Sequence, residues 1–121
     1  MAKVNQIEKK GMVNRWDCVK FQIIYHCFFN NIKLSPSEVD CLTLLALEDE
    51  VEVPPFCLKA FENQIFKSTQ SVRNALTKLE KMSLVKKGVG ASRKKISINN
   101  IPVLSTGNIL LKYQILSVEA N

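Results

Sequence analysis

Three side chains in the middle of this 121-residue sequence, Gln70, Arg73 and Asn74, are of types that can each form two hydrogen bonds to the edge of one base. Arg pairs in this way with guanine, and Gln or Asn with adenine. Thr69 and Thr77 extend the polar set, while Lys78 and Lys81 add charges suited to phosphate oxygens. A second group, Lys86, Lys87, Arg93, Lys94 and Lys95, flanks Gly88-Val89-Gly90 and suits a sugar–phosphate backbone or a minor groove. Between residues 67 and 95, nine basic residues stand against one acid, Glu80, for a net +8, whereas the rest of the chain nets −2. A near-neutral body with one strongly basic third is suited to meet a polyanion or an acidic protein surface.

Other chemistries lack their residues. Cys18, Cys27, Cys41 and Cys57 form no CxxC pair and His26 is the single histidine, so no metal site is expected. Each cysteine lies among apolar neighbours and reads as a reduced core thiol, the usage of a cytoplasmic protein. Glu48, Asp49 and Glu50 are consecutive and cannot converge on a cation, so the acidic run from 48 to 52 reads as a solvated connection. There is no Gly-rich phosphate loop and no GxSxG. His26, between Tyr25 and Cys27, reads as a satisfied or exposed ring rather than a general base. A non-enzymatic protein without a cofactor is the expectation. With 46% hydrophobic and 23% charged residues the chain is composed to fold. No apolar run approaches the ~20 residues of a membrane span, and no apolar stretch of a secretory signal follows Lys3.

The elements that must position these residues are legible to different degrees. Ser35-Pro36-Ser37-Glu38 is a capping box with proline at the first helical position, and Val39, Leu42, Leu45 and Ala46 follow at helical spacing, which predicts a helix over 36–47. A second helix is expected over 55–65, with Leu58, Phe61 and Ile65 on one face. Ser68 caps a third, running to about 82, whose stripe is Val72, Ala75, Leu76, Leu79 and Met82. Runs at 84–87 and 93–98 about a glycine-containing loop predict a hairpin. Residues 1–15 carry no period and read as a flexible basic arm. Between about 18 and 29, apolar residues alternate at Val19, Phe21, Ile23, Tyr25, Cys27 and Phe29, which predicts a strand; a second strand is expected over about 109–118.

Helix, helix, short turn, helix, basic hairpin over residues 35–98 resembles the winged helix-turn-helix family. Within it, Val72, Leu76, Leu79 and the closing Ser83-Leu84-Val85 carry the resemblance. Ser83 stands where the family often has glycine, and a left-handed serine there costs ~1 kcal/mol. The resemblance implies an α+β fold of three helices and a β-hairpin wing, here forming one domain over 16–121 with added terminal strands. It also implies double-stranded DNA as partner: the third helix lies in the major groove and the basic wing on the backbone, as in a transcriptional or replication regulator of a prokaryote or phage. The terminal strands would pair with each other or associate with a homodimer mate or another protein. The competing expectation is a structural or assembly protein, such as a virion component, that uses the same shape for protein contacts.

Overall fold

The structure is a computed structural model that describes residues 11–90, 94–110 and 116–117. Its elements are α1 (Arg15–Phe29), α2 (Pro36–Glu48), β1 (Val51–Glu52), α3 (Val53–Glu62), α4 (Thr69–Lys81), β2 (Val85–Lys87) and β3 (Lys95–Ile98). The described residues form four helices and a three-stranded antiparallel sheet of order β1-β3-β2, an α+β arrangement in which α2, α3 and α4 meet the sheet and α1 packs on α2.

The strand expected over 18–29 is a helix. Asn14 accepts the N–H of Asp17 at 2.8 Å and starts α1, so Arg15 belongs to the helix and not to the arm. Val19, Ile23 and Cys27, each four residues from the last, are buried together against α2. The alternation misled because α1 is apolar on nearly every side, and a helix with no clean polar face satisfies a period of two as well as one of 3.6. The β-branched and aromatic content that favoured a strand is overridden by what α2 offers to cover. Lys20 and Asp40 tie the two helices by an ion pair at 2.9 Å.

α2 begins as its capping box requires: Ser35 Oγ accepts the N–H of Glu38 at 3.2 Å, and Glu38 Oε1 accepts that of Ser35 at 2.8 Å. Its Cys41, Leu42, Leu44 and Leu45 form the centre of the core with Phe56, Cys57 and Ala60 of α3 and Val72, Leu76 and Leu79 of α4. α3 starts two residues earlier than expected, because Pro54 and Pro55 fit its first turn, where no backbone donor is lost. The acidic run is not wholly a connection, since Val51 and Glu52 pair with Ile96 and Lys95 and add a third strand to the hairpin. Two residues are too few to show a period. Glu48 is engaged by Lys59.

Three helices end alike. After α1, α3 and α4 the chain turns left-handed at Asn31, Gln64 and Ser83 (φ 54°, 60° and 63°). The next residue's N–H returns to a carbonyl five positions back: Ile32 to Cys27, Ile65 to Ala60 and Leu84 to Leu79. No glycine is used at any of the three.

Past β3, Ile101 is buried in the core and the chain crosses to α1. There the buried Gln22 amide donates to the Leu104 carbonyl at 2.7 Å and accepts the Leu104 N–H at 2.9 Å. The strand expected over 109–118 lies mostly outside the described residues; Ile109, Leu110, Leu116 and Ser117 belong to no strand. Pairing between two terminal strands is excluded, because α1 occupies the place of the first.

Candidate nucleic-acid interface

Ser68 begins α4 by accepting the N–H of Ser71 at 3.1 Å. From there the spacing divides the helix. Val72, Ala75, Leu76 and Leu79 point into the core, and Thr69, Gln70, Arg73, Asn74, Thr77, Lys78 and Lys81 are exposed. Gln70, Asn74, Thr77 and Lys81 follow one another at intervals of three and four, Arg73 stands four before Thr77, and the five share one outward face. Met82, expected at the end of the stripe, is exposed.

The members of this face are not equivalent. Gln70 Nε2 donates to Asn74 Oδ1 at 3.0 Å, which orients both amides along the helix. Thr77 gives its hydroxyl proton to the Arg73 carbonyl at 3.0 Å and keeps only acceptor capacity and a methyl group for a ligand. The Arg73 guanidinium has no hydrogen bond or ion pair among the described residues, so its five donors are uncommitted. Its charge lies near Cys57 of α3.

Lys78 is placed differently from the expectation. On the flank of α4 that faces α2, it holds Glu38 at 2.9 Å and 3.2 Å. Burial alone would raise the Glu38 carboxyl, but the Lys78 and Ser35 hydrogen bonds and the Lys78 charge outweigh it and hold the group below its ordinary value. Lys78 therefore anchors α4 to the start of α2, with less charge to offer a phosphate than Lys81. On the opposite flank, Glu80 meets Lys87 at the loop end of β2 at 3.7 Å and brings the hairpin beside the helix.

The hairpin is anchored to the end of α4. Asn99 N–H donates to the Leu84 carbonyl at 2.8 Å, and the side chains of Asn99 and Asn100 both donate to the Ser83 carbonyl at 2.9 Å. Pairing of Val85 with Ile98 and Lys87 with Ile96 turns Val85 and Ile96 into the core. Lys86, opposite Ser97, and Lys95, opposite Glu52, thus share the outer face of the sheet. Lys94 is exposed at the turn into β3, and Gly88 N–H extends the ladder to the Lys95 carbonyl at 3.0 Å. Arg93 lies outside the described residues. The structure thus puts the α4 face and Lys86, Lys87, Lys94 and Lys95 on adjoining elements, with Lys78 drawn off toward α2.

An open cleft of about 720 Å³ adjoins the start of α4, with Phe61, Ile65, Phe66, Lys67 and Ser71 among its walls. Sequence reasoning missed it because the α3–α4 turn that shapes it has no period. Burial raises the Cys27 and Cys57 thiols and pushes Cys41 up to about 12, so these three are protonated at neutral pH. Among the described residues no three His, Cys, Asp or Glu side chains converge on a common point. Nor is any described helix long and apolar enough to cross a membrane. The chain matches no protein-family model, no curated protein and no solved structure.

Proposed function

We propose that this chain is a non-enzymatic winged-helix protein that binds double-stranded DNA, with α4 in the major groove and the β2–β3 hairpin on the backbone. The observation that carries this reading is the exposed polar face of α4, Gln70, Arg73, Asn74, Thr77 and Lys81, directly beside a hairpin bearing Lys86, Lys87, Lys94 and Lys95. The order α2-β1-α3-α4-β2-β3, with β1 closing onto β3, supports it as the element order of a winged helix. An α-helix fits the major groove, and residues near its start reach base edges. The role that follows is control of transcription or replication in the cytoplasm of a prokaryote, or of a host if the chain is encoded by a phage.

Binding to a random duplex, followed by fluorescence anisotropy, tests this. With about four phosphate contacts, affinity should fall roughly a hundredfold between ~50 and ~200 mM salt. Absence of duplex binding at the low end rejects the reading. One observation favours a second: Lys78 and Lys87 already face acids, and α1 exposes Phe21, Ile24 and Phe28. A chain that ignores DNA but is retained in a particle or complex would be an assembly protein of the same shape.

A further inference from the structure

The outer face of α1 lies apart from the elements proposed to meet DNA. Phe21, Ile24 and Phe28 lie three and four residues apart and form one stripe, exposed by 57%, 45% and 67%. Met12 and Val13, which immediately precede the helix, are also exposed. Isolated apolar side chains on a surface are ordinary, whereas a contiguous aromatic stripe marks an interaction site. We infer that this face is where two copies of the chain associate, the two α1 helices crossing antiparallel over Ile24.

Charge and shape identify the occupant as a second copy. The chain carries +6, so most approaches between copies bring like charges together. The α1 face avoids this. Of the charged residues on the helix, Arg15 and Asp17 offset each other and Lys20 is held by Asp40. Phe21 and Phe28 stand almost equally far before and after Ile24. A two-fold axis near Ile24 therefore lays Phe21 of each copy on Phe28 of the other, which gives a self-complementary patch. Fully buried aromatic residues cover about 150–250 Å² each, so the exposed parts of this stripe supply roughly 300 Å² per copy. That is enough for the apolar centre of an interface whose standard size is about 800 Å² per partner, and the exposed Met12 and Val13 extend it.

Sedimentation velocity over about 1 to 100 µM reads the outcome. The wild-type chain should move from 13.7 kDa toward twice that mass. Because the contact is apolar, the transition should persist from ~50 to ~500 mM salt. Phe21→Glu with Phe28→Glu should weaken association at least about thirtyfold, with the circular dichroism unchanged because both positions are exposed. Ile24→Cys should yield a disulfide-linked dimer under mild oxidation, which the parent does not. A wild-type chain that is monomeric throughout, or a dimer indifferent to the double substitution, overturns the inference. An intact dimer that Ile24→Cys fails to cross-link overturns the antiparallel crossing. None of these readouts involves DNA, so they stand or fall apart from the proposed function.

Discussion

Arg73 and Glu38 show how two charged side chains one helix apart come to different uses. Arg73 follows the buried Val72 and leaves the core stripe a turn into α4, with its guanidinium uncommitted. Arg73→Ala should therefore cost about 1–3 kcal/mol on a preferred site and little on random duplex, as read by competition binding. Equal loss on every sequence would reduce Arg73 to a phosphate contact. Glu38 is instead closed in by Ser35 and Lys78. Since folding holds its carboxyl below the ordinary 4.5, the charged form stabilises the fold at neutral pH. That stabilisation is lost as the pH falls below about 4.5 and through the lowered value in the folded state. Glu38→Gln retains a capping side chain without the charge. It should cost about 1 kcal/mol at neutral pH and almost nothing in strong acid, measured by urea denaturation at several pH values.

Legibility of an element from its sequence depended on whether its signal was local. The capping box at Ser35 and the Ser68 cap could be read directly, because each is complete within four residues. The α4 face could be read because its polar and apolar sides differ sharply. α1 could not, since its burying partner, α2, lies elsewhere in the chain and its apolar residues encircle it. β1 could not either, because a two-residue strand exists only through its partner β3. The place of Lys78 is not legible either, because its partner Glu38 lies 40 residues away on α2. The exit of α4 offers an element-scale test. Ser83 adopts φ 63°, a conformation that strains any residue with a Cβ. Ser83→Gly should raise stability by about 0.5–1 kcal/mol in a thermal melt, with the hairpin anchor unchanged because Asn99 and Asn100 bind the backbone carbonyl. In the hairpin, Lys94→Ala with Lys95→Ala should weaken binding to all duplex sequences about equally and lower the salt slope by roughly one to two units. An unchanged slope would remove the hairpin from the interface.

Among the described residues, the densest positive charge and the densest exposed aromatic surface occupy different elements. The basic side chains concentrate on α4 and the hairpin, and the exposed aromatics on α1. The amide of Gln22 joins the beginning of the described chain to its end, receiving the Leu104 N–H and donating to the Leu104 carbonyl as a neighbouring strand would, while Cys18 Sγ reaches the same carbonyl at 4.0 Å. Gln22→Glu keeps the shape but loses the donor and sets a carboxylate against the Leu104 and Cys18 carbonyls. It should lower stability by about 2 kcal/mol in urea denaturation, more than Gln22→Met. The same amide also imposes an order on biosynthesis. Leu104 is made 82 residues after Gln22, a delay of roughly 4–16 s at the pace of a ribosome. Through that interval α1 can settle on α2, yet its Gln22 amide has the Cys18 carbonyl but not Leu104 to bind, and the nascent chain exposes Phe21, Ile24 and Phe28 before α4 and the hairpin exist. Two chains growing on neighbouring ribosomes would thus meet through α1 first, and assembly would precede the completion of either fold.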